Sequence, residues 1–191
     1  YMDKQVRRAV ELAQEFDTRL VRGFSFYHPK GLDPGDYVNQ AADRLAQIAD
    51  VCGAAGLLFG LEVEANLIGQ NGKLLRQIFR KVDSDHLCLI FDGGNLACQN
   101  FTSTQTYAEY QAMKAGIGWI HIKDYQIDSS LRWEGHVDEE RLKNFVPADQ
   151  GDAGHEAILR DFKRRIPGLT RKLRRQGVPG VFLDLEPHLK G

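Results

Sequence analysis

No run of about 18 consecutive apolar residues occurs in this 191-residue chain, which excludes a transmembrane helix. Cysteine is scarce: Cys52, Cys88 and Cys98 are an odd number and form no C-x-x-C pair. That argues against a disulfide framework or a cysteine-rich zinc module and favours a reducing, cytoplasmic compartment. Neither sign of charge is in excess, with 25 basic and 26 acidic side chains giving a formal charge of −1. Nucleic acid is therefore not expected as the main partner, and nothing points to a membrane. The opening Tyr1-Met2-Asp3-Lys4-Gln5 has no apolar stretch of the signal-peptide kind, and it begins on Tyr, which suggests an excerpt of something longer. Two-residue hairpin turns are missing, and Arg22-Gly23-Phe24-Ser25-Phe26 offers no G-x-G-x-x-G phosphate loop. At 42% hydrophobic and 27% charged, the chain can still bury a core.

What is present is an alternation of helical and strand patterns. Val6, Ala9, Val10, Ala13 and Phe16 recur at helical spacing and predict a helix over 3–16. A strand is expected over 20–26, closed by His28-Pro29-Lys30-Gly31. Asp33 and Pro34 then start a helix carrying Val38, Ala41, Leu45, Ile48 and Cys52 on one face. Further strands are expected over 57–64, 87–91, 119–122 and 181–185. Helices should lie around 74–82 and 104–115, with one or two within 153–176. Five strands joined through helices imply parallel βα units with right-handed crossovers in a single domain. Lacking a glycine-rich phosphate loop, the pattern favours a (β/α) barrel over a doubly wound sheet.

Ionisable side chains recur where the strands end. They are Glu62 and Glu64, Asp92, His121 and Glu186. Residues two apart share a face of a strand, so Glu62 with Glu64, His121 with Lys123, and Asp184 with Glu186 point the same way. In a barrel such faces converge on one mouth, where unpaired charges would suffer desolvation that a bound cation offsets. Three carboxylates and an imidazole make a hard, oxygen-rich set, suited to Mn²⁺, Mg²⁺ or Co²⁺ more than to a structural zinc site.

The chain resembles the xylose isomerase-like TIM-barrel superfamily of sugar phosphate isomerases and epimerases. The resemblance rests on Glu64, Asp92-Gly93-Gly94-Asn95, His121-Ile122-Lys123-Asp124 and Glu186, with a glycine-bearing stretch at 147–155. It implies that Glu64, Asp92, His121 and Glu186 hold one divalent metal, Mn²⁺ first, with Mg²⁺, Co²⁺ or Zn²⁺ as alternatives. It also implies that Glu64 and Glu186 move the proton next to the carbonyl of a sugar, sugar phosphate or keto-polyol, through a metal-stabilised enediolate. The family's D-x-x-H histidine is Asn95 here, which can hydrogen-bond a substrate but cannot carry a proton. Because a full barrel needs about 250 residues, the five strands are expected to be the fourth to eighth of an incomplete barrel.

Other side chains have more than one reading. Glu62 is either a partner behind the ligands or an alternative ligand to Glu64. Lys123 either touches a substrate oxygen or pairs with Glu62, and Arg132 is the candidate substrate arginine in a long 124–150 connection able to cover a substrate. Self-association into a homo-oligomer is compatible with the sequence. The rival functions are a dehydratase on a keto-polyol, an apurinic-site endonuclease-like phosphodiesterase, and a non-catalytic truncated scaffold.

Overall fold

Strands that are apolar on both faces need cover on both, and this governs how the chain packs. A computed structural model describes residues 2–188. The elements are α1 (Met2–Glu15), β1 (Leu20–Gly23), α2 (Val38–Ala54), β2 (Leu58–Glu62), α3 (Gly72–Val82) and β3 (Leu87–Asp92). They continue with α4 (Gly93–Ala97), α5 (Ser103–Met113), β4 (Ile117–Ile122), β5 (Asp124–Tyr125), β6 (Phe145–Val146), α6 (His155–Arg175) and β7 (Phe182–Leu185). The five long-range strands pair in parallel in the order β1-β2-β3-β4-β7 and form a half-barrel. The edges of β1 and β7 are the open sides.

Outward residues of the sheet, among them Phe59, Leu61, Leu89, Phe91 and Ile120, pack on Leu45, Ala49, Leu75, Ile78, Tyr110 and Phe162 of the helices. The lower inner face is closed by Leu58 and Cys88 against Leu173 and Val178. Helix ends follow local chemistry. Asp33 Oδ1 accepts from Gly35 N and starts a 3₁₀ turn that runs into α2. Asn71 caps α3, and Thr102 with Gln105 forms a capping box on α5.

The structure departs from the sequence expectation at β1 and sharpens it at two other places. β1 is shorter than 20–26 because the chain leaves the sheet after Gly23 and binds the turn beyond β2 instead. Ser25 Oγ accepts from Gly69 N, Phe26 O accepts from Ile68 N, and Tyr27 bridges Leu67 in antiparallel fashion. The 153–176 region is one 21-residue helix that accommodates Pro167. The long connection is not wholly irregular: β5 and β6 pair as a short antiparallel ribbon above the barrel mouth.

Candidate metal centre

Register explains which strand-end residues meet. Arg22 pairs with Gly60, two residues below Glu62; Glu62 pairs with Ile90, two below Asp92. Asp92 pairs with His121, and His121 with Asp184, two below Glu186. Strands of a barrel tilt and stagger, so residues at equal height climb the ladder from one strand to the next. Arg22, Glu62, Asp92 with His121, and Glu186 form such a staircase. One donor atom each from Glu62, Asp92, His121 and Glu186 lies within 4.8 Å of the others. Gly60, below Glu62, leaves room on the inner face; a Cβ there would come within 2.8 Å of Ile90 Cδ1.

Cations already compensate these acids. The Arg22 guanidinium hydrogen-bonds Glu62 through Nε and lies 3.3 Å from Glu186 through Nη2. Lys123 Nζ is 2.9 Å from Asp92 Oδ2 and 3.1 Å from Glu186 Oε2. The first of these lacks hydrogen-bond alignment and is an ion pair. His121 Nδ1 lies 3.1 Å from Glu62 Oε1 and 3.3 Å from Glu186 Oε2. On the other side of the ring, Nε2 is 3.5 Å from Asp184 Oδ2, and the indole of Trp119 donates to the same aspartate. With Asp184 behind Nε2, Nδ1 is the ring nitrogen turned toward Glu62 and Glu186, and it is the one that would serve as a ligand once deprotonated.

The protonation states follow from this crowding. Burial alone would lower the pKa of His121, but hydrogen bonds to Glu186 and Glu62 push it up to about 10. Burial raises Asp92 to about 6 and Glu64 to about 7, in each case against the opposing charge of Lys123. Glu186 is held well below the ordinary carboxylate range by its hydrogen bond from His121, with burial opposing. The Glu186 side chain keeps 25% exposure while His121 keeps 2%, so Glu186 is the member of the group that an incoming molecule reaches. Three carboxylates and one imidazole at these separations fit a single divalent cation.

Residues 3–188 match the family described as xylose isomerase-like TIM barrel. The chain belongs to this family. The probable 3-DHS dehydratase AsbF from Bacillus anthracis superposes with a TM-score of 0.67 at 15% identity, covering 98% of this chain and 64% of that one. A D-tagatose 3-epimerase-like protein gives 0.63 at 21% identity, covering 96% and 61%. The IOLI protein with a bound zinc atom gives 0.68 at 14% identity, covering 97% and 59%. At these identities the likeness concerns the fold, and the chain spans less than two thirds of each of these structures. No curated protein matches the sequence.

Within this xylose isomerase-like half-barrel the expected site residues are distributed as follows. Asp92, His121 and Glu186 come together, but the donor from β2 is Glu62, and Glu64, expected in that role, stands outside the group. The staircase is the reason. Glu64 lies beyond the end of β2, one inward step above the level at which the other side chains meet. Asn95 is 3% exposed and works as a brace: its Nδ2 reaches Glu62 Oε1 (3.3 Å), Val63 O (3.1 Å) and Glu64 Oε2 (3.1 Å). Lys123 pairs with Asp92 and Glu186 rather than with Glu62. The Arg132 side chain is exposed, and the structure uses its carbonyl, which accepts from the buried Arg141.

Sequence reading missed Arg22 and Arg141. Arg22 was legible in principle as the one charged residue of β1. Arg141 carried no signal, since its partners are the Cys98, Leu131 and Arg132 carbonyls and Asn100 Oδ1, which only the fold brings near.

Proposed function

We propose that this chain carries the metal centre of an enzyme that moves a proton next to a carbonyl, an isomerase or epimerase of a small sugar, sugar phosphate or keto-polyol. The observation that carries the reading is the convergence of Glu62, Asp92, His121 and Glu186 at the C-terminal ends of four different strands. These four would hold the divalent ion, with Mn²⁺, Mg²⁺, Co²⁺ and Zn²⁺ all compatible. When bound, the ion supplies electrostatic stabilisation for negative charge developing beside a carbonyl.

The chain's own residues supply the proton chemistry. Glu186 is ionised and partly exposed, and it becomes an effective proton acceptor when the hydrogen bonds from His121 and Lys123 that hold its pKa down are given up. Glu64 has its pKa pushed up to about 7 by burial, so near neutrality it can hold a proton or release one. Two carboxyl groups pushed in opposite directions are the pattern expected of an acid/base pair. Arg22, whose side chain is 36% exposed, is placed to meet the polar oxygens of a substrate, and Asn95 positions both Glu62 and Glu64.

The protonatable Glu64 also favours a second reading, a dehydratase in which the same carboxyl gives its proton to a departing hydroxyl; the fold likeness to a 3-DHS dehydratase is consistent with it. Incubation of the protein with Mn²⁺ and a panel of ketopentoses and ketohexoses in D₂O separates the two. Deuterium entering the carbon beside the carbonyl without loss of water supports the isomerase or epimerase. Loss of water with formation of an unsaturated ketone supports the dehydratase. Absence of both across the panel, together with dehydroshikimate-type hydroxy ketones, contradicts either enolising reading.

A further inference from the structure

Lys123 is an unusual occupant of a cation-binding group. It is only 3% exposed, and its ammonium sits against Asp92 Oδ2 at 2.9 Å and Glu186 Oε2 at 3.1 Å. Asp92 Oδ1 accepts from Asn95 N at 3.0 Å and caps α4, while Oδ2 faces the group, 3.8 Å from His121 Nδ1. A divalent ion held by Glu62, Asp92, His121 and Glu186 would sit against Asp92 Oδ2, the atom beside which the Lys123 ammonium already lies.

We propose that Lys123 is a resident counter-cation of the centre. It keeps Asp92 and Glu186 together when no metal is bound and must be displaced before a divalent ion can bind. This inference rests on the metal-centre reading above. Bringing buried carboxylates together without compensation carries a desolvation penalty and mutual repulsion, and an ammonium on a flexible stem relieves both while remaining removable. A second seat lies close by: Nζ is 5.5 Å from the centroid of the Phe145 ring, where a cation is attracted to the aromatic face. The stem packs along Gly94, where a Cβ would meet Lys123 Cγ at 3.0 Å and its carbonyl oxygen at 2.8 Å, so the bare glycine is what makes room for the lysine. Arg22 compensates the opposite side of the group, but its guanidinium bridges Glu62 and Glu186 from β1 and leaves Asp92 untouched. The lysine therefore sets how tightly the centre takes metal, and metal loading moves its ammonium from the carboxylates toward Phe145.

Calorimetric titration of Mn²⁺ into the metal-free protein and its Lys123→Met variant tests this. Removing a positive charge next to a divalent ion should tighten binding about ten-fold or more. Equal or weaker binding by a folded Lys123→Met, with the unsubstituted protein still binding, overturns the counter-cation role and leaves the metal centre standing. No binding by either protein overturns both. A measurement without substitution guards against misfolding of the variant: lysine ammonium ¹H–¹⁵N spectra should show a buried, slowly exchanging resonance that shifts or vanishes on saturation with Mg²⁺ or Zn²⁺. A resonance unchanged in the metal-saturated protein overturns the proposal.

Discussion

Glu62 ends β2 and Glu64 lies two residues beyond it, and their surroundings assign them different work. Glu62 is fully buried and held by Arg22, Asn95 and His121. Glu64 is only partly buried and meets Asn95 alone among these side chains. Replacing Glu62 with Gln should weaken Mn²⁺ binding by about 100-fold or more, whereas Glu64→Gln should change it by less than about ten-fold. Calorimetry on the two variants decides between them, and the reverse order would restore Glu64 as the ligand. The parity of Glu62 and Glu64 was legible in the sequence. Their heights were not, because the strand tilt that brings one of the two carboxylates to the level of the others is a property of the assembled half-barrel rather than of any segment.

At the scale of elements, the connection between β4 and α6 is held to the barrel mouth by a few buried polar groups. Arg141 sends four hydrogen bonds from its guanidinium to Cys98 O, Asn100 Oδ1, Leu131 O and Arg132 O. Asn66 exchanges two more with the backbone of Val137, and Asp124 accepts from the amides of Tyr125, Gly151 and Ala153. The Arg141→Met variant strips Cys98 O, Asn100 Oδ1 and Arg132 O of this donor, while Leu131 O keeps Asn100 Nδ2, and it should lose about 3 kcal/mol of stability or release the connection locally. Hydrogen exchange followed by mass spectrometry should show amides of residues 127–144 exchanging faster while those of β2, β3 and β4 stay protected. Uniform loss of protection across the sheet would mean that the connection is integral to the core. The strands and helices were largely readable from apolar spacing, as with Leu45 and Ile48 on α2. The β5–β6 ribbon was not, since Asp124-Tyr125 and Phe145-Val146 are two-residue strands defined only by each other.

For the molecule as a whole, crowding of acids around His121 couples stability to protons. His121 is raised from 6.5 to about 10, Glu64 from 4.5 to about 7 and Asp92 from 3.8 to about 6. In each case the folded state binds a proton more tightly than the unfolded state does. The stability these groups give is therefore complete below their unfolded values and is lost as pH rises through the folded ones. Glu186 has the opposite sign, with a contribution present above 4.5 and lost only as pH falls toward its depressed value. The metal-free protein should thus melt at a higher temperature near pH 5.5 than near pH 9. Saturating metal, which stands in for those protons, should raise the melting temperature more at pH 9 than at pH 5.5. A metal-free melting temperature that rises between these pH values would contradict the electrostatic account. The outer face of β7 is uncovered, with Leu183 and Leu185 at 49% and 74% exposure, and no described helix is long and apolar enough to cross a membrane.

One cation held among four side chains from four strands is what joins this fold to the proposed chemistry. Anomalous scattering from Mn²⁺-soaked crystals tests it most directly. A single strong peak is expected about 2.0–2.3 Å from side-chain atoms of Glu62, Asp92, His121 and Glu186, with the Lys123 ammonium moved away from Asp92. Mn²⁺ bound elsewhere at saturating concentration, or bound through Glu64 with Glu62 still paired to Arg22, would contradict it.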